Sequence, residues 1–156
     1  MTRLKTSGSV EGFTLLETVF GIAIIIMIFS VLTMAFLSFR SSSQLSETHS
    51  QIVSILRDAR SRTMASVGNT AYGVHFEESK AVLFQGGIYD ALSPTNETYL
   101  LPASLIISSI SLGGPQDVVF QRLNGFASAS GTLTVSLRSD SSKASIVDIL
   151  ATGNVR

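Results

Sequence analysis

The stretch of sequence that decides the fold is residues 12–39, GFTLLETVFGIAIIIMIFSVLTMAFLSF. Residues 18–39 contain no charged side chain, and the 19 residues from Val19 to Leu37 are interrupted only by Gly21, Ser30 and Thr33. As a helix, that apolar run rises about 28 Å at about 1.5 Å per residue, which is close to a hydrocarbon core of about 30 Å. Apolar side chains surround this helix, so no polar face is left to meet water. The pattern predicts a membrane-spanning helix.

A single carboxylate, Glu17, lies within the first turns of this apolar helix. In lipid it costs several kcal/mol unless it is paired or reaches water, although the positive end of the helix dipole lowers that cost. A secretory signal peptide has a shorter apolar segment followed by a small-residue cleavage site. Here the unusual residues precede the apolar segment, so an ordinary signal peptide is not indicated.

The pattern changes after Arg40, where polar residues become frequent. Apolar or small residues then recur at steps of 7, 4, 3 and 4, at Leu45, Ile52, Leu56, Ala59 and Thr63. Such spacing traces one face of an amphipathic helix in water. We therefore expect one helix over about residues 13–66, with a transmembrane half at 13–39 and an amphipathic half at 40–66. Gly68-Asn69 is expected to end it, because both residues tolerate left-handed backbone conformations.

From residue 67 onward the hydrophobic period becomes two, which is typical of strands. We expect six or seven short strands, at residues 71–76, 81–85, 99–101, 104–112, 118–123, 132–138 and 145–150. Turns or loops are expected at residues 77–80, 90–98, 113–115, 124–125 and 140–142. The predicted fold class is α+β, with the long N-terminal helix packed on an antiparallel β-sheet domain that spans residues 67–156.

Composition excludes several functions. Eleven basic residues balance eleven acidic ones, so net charge predicts no strong attraction to nucleic acid. The chain has no cysteine, which removes disulfides, thiol catalysis and cysteine metal sites. Neither a nucleophile elbow nor a phosphate-binding glycine loop occurs. We expect no enzyme activity, no cofactor and no metal.

Residues 12–17, GFTLLE, followed by the apolar run, resemble the processing site of type IV prepilins and type II secretion pseudopilins. The resemblance implies that residues 1–12 are a leader that stays in the cytoplasm. It also implies that prepilin peptidase cleaves between Gly12 and Phe13, and that the new N-terminus at Phe13 is methylated. Glu17 would then be the assembly residue, because its carboxylate can pair with the free amine of Phe13 in a neighbouring subunit.

The same resemblance implies where the protein acts and what it contacts. It predicts a single-pass protein of a prokaryotic inner membrane, with a cytoplasmic N-terminus and a C-terminal domain on the far side. The implied partners are prepilin peptidase, other major or minor pilin or pseudopilin subunits, the inner-membrane assembly platform and membrane lipid. The function expected is a structural subunit of a type IV pilus or of a type II secretion pseudopilus.

The region after the helix resembles the GspH/FimT branch of minor pilins and pseudopilins. Its signs are GVHF at residues 73–76, VFxxxNG at 119–125 and IxxxGxV at 149–155. Some members of that branch bind DNA through a C-terminal Gly-Arg-x-Arg motif, which this chain replaces by Gly-Asn-Val-Arg. Only Arg156 remains as a candidate DNA contact. Two alternatives therefore stay open: a DNA-binding minor pilin of natural transformation, and a generic single-span anchored domain.

Other polar residues have simpler interpretations. The two histidines, His49 and His75, are isolated in the sequence, and we expect them to be surface or hydrogen-bonded core residues. The basic cluster of Arg57, Arg60 and Arg62 is interrupted only by Asp58 among charged residues. We interpret it as a solvated helix face, with a nucleic-acid contact as the alternative.

Overall fold

The computed structural model describes residues 12–156. The predicted leader at residues 1–12 therefore lies outside the described residues, apart from Gly12. The chain divides into two compact units, Met1–Phe39 and Arg40–Arg156. One helix and seven strands are present among the described residues: α1 Leu15–Met64, β1 Tyr72–Glu77, β2 Lys80–Gln85, β3 Glu97–Leu100, β4 Leu105–Leu112, β5 Asp117–Val119, β6 Gly131–Leu137 and β7 Asp140–Ile149.

Helix α1 ends two residues earlier than predicted, at Met64. The backbone turns left-handed at Ser66, and then at Gly68 and Asn69, with φ of 52°, 60° and 54°. The predicted stop at Gly68-Asn69 is therefore a short 3₁₀ turn, Val67–Asn69, that follows the helix. Thr63 fixes this end, because its hydroxyl donates to the Ala59 carbonyl at 2.8 Å and accepts from the Tyr72 N–H at 2.9 Å.

The strands form two antiparallel sheets, where the sequence predicted one. The first sheet has the order β3-β2-β1-β5, and the second has the order β4-β6-β7. The division follows from β5, which pairs with β1 rather than with its sequence neighbours β4 and β6. Both sheets bury their inner faces on one shared core, so each needs to be only three or four strands wide.

The shared core contains one stripe of α1 together with the inner faces of both sheets. Seven residues of α1 are buried: Thr48, Ile52, Val53, Ile55, Leu56, Ala59 and Thr63. The predicted stripe is confirmed at four of its five positions, and Leu45 packs partly buried against the same core. The largest fully buried side chains of the sheets include Phe76, Leu83 and Leu133. Apolar burial of this kind is the main favourable term in folding.

Strand β4 contains a bulge between Ile107 and Ser109. Apart from Ile106, its apolar residues stand at 105, 107, 110 and 112, so a strict period of two would point the last two away from the core. The extra residue at Ser108 restores their direction, and Ile110 and Leu112 pack partly buried against the core. Ser109 and Ser111 are exposed as a result.

Two strand boundaries near the C-terminus were predicted wrongly. Residues 140–142 were expected to be a turn, but Asp140 begins β7 and pairs with Leu137 across the two-residue turn at 138–139. Asp140 still behaves like a turn residue, because its carboxylate accepts from the N–H and hydroxyl of Ser142 at 3.1 and 2.6 Å. The strand predicted at 118–123 covers only Asp117–Val119, because the chain turns at Gln121, whose carbonyl accepts from the Gly125 N–H.

The predicted loop at 90–98 ends earlier, since β3 begins at Glu97. Part of the segment before β3 covers the outer face of the first sheet, where Tyr89 stacks on His75 with ring centroids 3.9 Å apart. The Phe84 ring lies between Tyr89 and Gly73, directly over Gly73. A Cβ atom at Gly73 would stand 2.6 Å from the Phe84 ring, so only glycine permits this approach.

Candidate functional site

Helix α1 begins with a side-chain cap. Thr14 precedes the first helical residue, and its hydroxyl oxygen accepts a hydrogen bond from the Glu17 backbone N–H at 3.2 Å. A threonine cap followed three residues later by glutamate is the sequence pattern of a capping box. Gly12 and Phe13 therefore lie outside the helix, in chain without regular secondary structure, and both are exposed. The bond between them is accessible within the part of the chain that the structure describes.

Glu17 occupies the third position of the helix and is exposed. Among residues 12–156, no hydrogen bond or ion pair involves its carboxylate. The helix dipole favours a negative charge in this first turn. Since residues 18–39 contain no charge, a cation that neutralises Glu17 in an apolar medium has to come from elsewhere.

The other polar side chains of the apolar run are satisfied by the helix itself. The Thr18 hydroxyl donates to the Leu15 carbonyl at 2.8 Å, Ser30 donates to Ile26 at 2.9 Å, and Thr33 donates to Phe29 at 2.8 Å. Such bonds remove the need for water around a hydroxyl. Glu17 differs from these three residues, because residues 12–156 supply no partner for its carboxylate.

Every residue from Gly12 to Arg40 is exposed. The apolar side chains are among them, from Leu15 at 84% to Ile28 at 52% exposed. Helix α1 is long and apolar enough to cross a membrane by length and composition. Isolated proteins rarely leave so large an apolar surface uncovered unless lipid or another protein meets it.

Two of the three clustered arginines hold the C-terminal segment, which the sequence did not predict. The Arg60 guanidinium donates to the carbonyls of Gly125 and Thr152 and to the Asn154 side chain, at 3.1, 3.4 and 3.3 Å. Arg57 donates to the Val155 carbonyl at 3.1 Å. The interpretation of these residues as a merely solvated helix face is therefore wrong. Each bond joins parts of the chain that are far apart in sequence, so no local sequence pattern indicates it.

The two glycines of the predicted C-terminal motifs meet beside Arg60. Gly125 and Gly153 have φ of 66° and 76°, a region that favours glycine. A Cβ atom at Gly153 would stand 1.9 Å from the Gly125 carbonyl oxygen, and a Cβ at Gly125 would stand 3.0 Å from Arg60 Nε. The motifs at 119–125 and 149–155 thus belong to one structural unit that closes the domain on α1.

The third arginine forms an ion-pair network. Arg62 contacts Asp58 at 2.7 Å and also binds the carboxylate of Glu97, which accepts from the Tyr99 hydroxyl at 3.1 Å. The hydrogen bond from Arg62 holds the pKa of Glu97 below its usual value, and hydrogen bonds to Glu97 and then Asp58 raise the pKa of Arg62. Burial, followed by its bond to Glu97, raises the pKa of Tyr99. The network joins α1 to β3, and the Arg62 guanidinium makes its ion pairs within the domain.

Both histidines have partners inside the domain. His75 Nδ1 hydrogen-bonds with the Asp117 carboxylate, and His49 Nδ1 lies 2.8 Å from the Ser145 hydroxyl. Within residues 12–156, no group of three or more histidine, aspartate or glutamate side chains could hold a metal ion.

Arg156, the candidate DNA contact, remains exposed. Its Nε lies 3.2 Å from the Asp148 carboxylate, and its backbone pairs with Asp148 on the outer edge of β7. The neighbouring carboxylate lowers the positive potential that a phosphate would meet there.

The fold resembles that of a known protein. The minor pseudopilin EpsH from the type 2 secretion system of Vibrio cholerae matches with a TM-score of 0.54 and 13% sequence identity. The match covers 72% of this chain and 94% of that one. The chain thus has a pseudopilin-like fold, with one long N-terminal helix and antiparallel sheets, and the predicted α+β class is confirmed. No protein-family model matches the chain, and neither does any curated protein.

Proposed function

We propose that the chain is the precursor of a minor pilin or pseudopilin, a structural subunit of a type IV pilus or type II secretion pseudopilus. The single observation that carries this proposal is the beginning of α1. There, a carboxylate without a partner among residues 12–156 lies at the start of an exposed apolar helix half on a pseudopilin-like fold. A generic membrane anchor has no need of a charge at that place, because a charge in lipid is costly.

The proposed maturation step is cleavage by prepilin peptidase between Gly12 and Phe13, followed by methylation of the Phe13 amine. The Thr14 cap supports this assignment, because it keeps the Gly12–Phe13 bond outside the helix. A peptide bond outside regular structure can be fitted to an active site without first unwinding a helical turn. Cleavage creates a free amine close to Glu17.

The proposed assembly step pairs that amine with Glu17 of a neighbouring subunit. In lipid both charges are costly alone, and each removes the cost of the other when they meet. The apolar halves of α1 then pack side by side, which covers the surface that the isolated chain exposes. The assembly platform in the inner membrane would present successive subunits to the filament.

We place the protein in a prokaryotic inner membrane as a single-pass subunit, with the leader in the cytoplasm and residues 40–156 on the opposite side. The GspH/FimT-type branch is the more specific proposal. It is supported by the way its predicted motifs, at 119–125 and 149–155, converge on Arg60. No observation favours DNA binding, because Arg57, Arg60 and Arg62 bind the domain itself and Arg156 pairs with Asp148.

The test compares Glu17→Gln with Glu47→Gln, an exposed carboxylate on the aqueous half of the same helix. In the native host, both variants should insert into the membrane. Filaments sheared from the cells should contain about tenfold less Glu17→Gln protein, since the lost pair leaves an amine buried without a partner. The Glu47→Gln protein should be recovered at the wild-type level. Equal recovery of the two variants would remove Glu17 from assembly.

A further inference from the structure

A cavity of about 430 Å³ lies between the first turns of α1 after Arg40 and the hairpin of β6 and β7. Ser42, Leu45, Ser46 and His49 form its helix wall, and their spacings of three and four residues put them on one face of α1. The facing wall of the hairpin consists mostly of serine and alanine. Because the residues on both walls are mostly small, the helix and the hairpin leave space between them. The cavity lies entirely within the second compact unit of the chain.

The polar side chains that line this cavity can all donate hydrogen bonds. Four hydroxyls, one imidazole and one ammonium group are present: Ser42, Ser46, Ser142, Ser145, His49 and Lys143. None of the described residues that line the cavity is acidic. Hydroxyl, imidazole and ammonium groups are donors to the oxygens of a phosphate, and the ammonium adds a positive charge. The lining therefore favours an oxyanion over a cation.

Three of the lining groups also have partners within the domain. His49 Nδ1 lies 2.8 Å from the Ser145 hydroxyl, and this contact joins the helix wall to the hairpin wall. The Ser142 hydroxyl donates to the Asp140 carboxylate at 2.6 Å. The hydrogen bonds from Ser142, and then the positive charge of Lys143, lower the pKa of Asp140. Asp140 does not line the cavity, whereas Lys143 does, so the formal charge that faces the cavity is positive.

The position of the cavity along the chain indicates where its ligand comes from. Ser42 follows Phe39, at the end of the apolar segment, by three residues. Three residues span at most about 11 Å in any conformation. The headgroup layer of a bilayer extends about 5–7 Å beyond each side of the hydrocarbon core. If the apolar half of α1 spans a bilayer, as in the proposed function, the phosphate of a phospholipid is within reach of the cavity.

We propose that the cavity between α1 and the β6–β7 hairpin binds the headgroup phosphate of a membrane phospholipid. Lys143 supplies the positive charge, and the hydroxyls of Ser42 and Ser46 supply hydrogen bonds from the helix wall. A bound lipid tethers residues 40–156 to the membrane surface and has to be released when the subunit leaves the bilayer. This inference rests on the proposed function, because the lipid meets the cavity only if α1 is a membrane anchor.

The test is native mass spectrometry of the full chain, purified in a non-ionic detergent and titrated with phosphatidylglycerol. The wild-type chain should retain one lipid per chain. Lys143→Gln should bind the lipid about fivefold more weakly, which is the loss expected for one lysine beside an anionic lipid. Arg138→Gln is the matched control, because Arg138 is an exposed cation of the same hairpin that contacts Glu78 and does not line the cavity. It should bind the lipid as the wild type does.

A second variant separates binding inside the cavity from a general attraction between charges. Ser46→Phe fills the cavity and leaves every charge in place, so it should weaken binding as much as Lys143→Gln does. Diacylglycerol, which has the acyl chains without the phosphate, should bind equally to the wild type and to Lys143→Gln. Equal binding of phosphatidylglycerol to the wild type, Lys143→Gln and Ser46→Phe would overturn the proposed site. If soluble glycerol 3-phosphate binds as tightly as the lipid, the ligand is a soluble phosphate and the lipid assignment is wrong.

The membrane anchor is tested separately, by alkaline extraction of membranes from the native host. The wild-type chain should stay in the membrane fraction. If it stays there while phosphatidylglycerol binds equally to the wild type and to Lys143→Gln, the lipid site is wrong and the proposed function stands. If alkaline extraction releases the chain, the proposed function fails and the lipid site fails with it.

Discussion

The two halves of α1 have the same backbone conformation and opposite surroundings. From Leu15 to Phe39 every residue is exposed and nearly every side chain is apolar. From Arg40 to Met64 seven residues are buried on one stripe and polar residues cover the rest. The second half packs against the β-strands of the same chain, whereas residues 12–156 supply no apolar partner for the first half. The first half therefore has an apolar surface that residues 12–156 leave uncovered, and the proposed function assigns that surface to lipid and to other subunits.

The largest difference in the free energy of unfolding is expected between one leucine substitution in each half of α1. Leu56 is fully buried in the core, while Leu32 is 57% exposed on the apolar half. Leu56→Ala should lower the free energy of unfolding by about 2–5 kcal/mol, through lost burial and the cavity left behind. Leu32→Ala should leave it unchanged. Denaturation of the full chain in detergent micelles measures both, and a comparable loss from Leu32→Ala would mean that the first half also packs within the chain.

A smaller effect on the free energy of unfolding is expected when an arginine of α1 is replaced. Arg60 binds two carbonyls and one side-chain amide of the C-terminal region, whereas Arg40, at the junction of the halves, is exposed. Arg60→Met keeps most of the apolar stem and should cost about 1.5–3 kcal/mol, the usual range for hydrogen bonds to charged groups. Arg40→Met should change the free energy of unfolding by less than about 0.5 kcal/mol. Chemical denaturation distinguishes them, and equal effects would show that Arg60 does not hold the C-terminal segment.

The smallest expected effect is a pH dependence of the free energy of unfolding that comes from residues 40–156. The hydrogen bond from Arg62 lowers the pKa of Glu97 in the folded state, so its stabilisation is present above the unfolded pKa of about 4.3. It should be lost as pH falls through the lower, folded-state pKa. Glu97→Gln should flatten this part of the profile, which urea midpoints between about pH 5 and 2 would measure. A profile that is unchanged in the variant would exclude the pair as its cause.

Much of the helix could be predicted because its signals are local. The apolar run and the stripe at Leu45, Ile52, Leu56, Ala59 and Thr63 repeat within a few residues, and the structure agrees with both. The cap at Thr14 and the bulge at Ser108 were not predicted, although each has a local signal in the sequence. A glutamate three residues after Thr14 is the signal of the cap. Apolar residues at 107 and 110, which break the period of two, are the signal of the bulge.

The division into two sheets could not be predicted, because it depends on the pairing of β5 with β1. The role of Arg57 and Arg60 was missed for the same reason. Their acceptors lie between 65 and 98 residues away, and a sequence pattern carries no signal at that distance. The candidate site at Gly12, Phe13 and Glu17 rests on a short motif, and the structure adds its exposure and its cap. Cleavage and pairing remain predictions.

In the proposed function, the chain is a precursor whose exposed half-helix becomes an assembly surface after cleavage. The mass of the membrane-extracted protein from its native host tests this claim most directly, with a Gly12→Trp variant as the unprocessed control. We predict that the mature chain begins at a methylated Phe13, and that the Gly12→Trp chain retains residues 1–12. A wild-type chain that still carries residues 1–12 in the filament fraction would contradict the account.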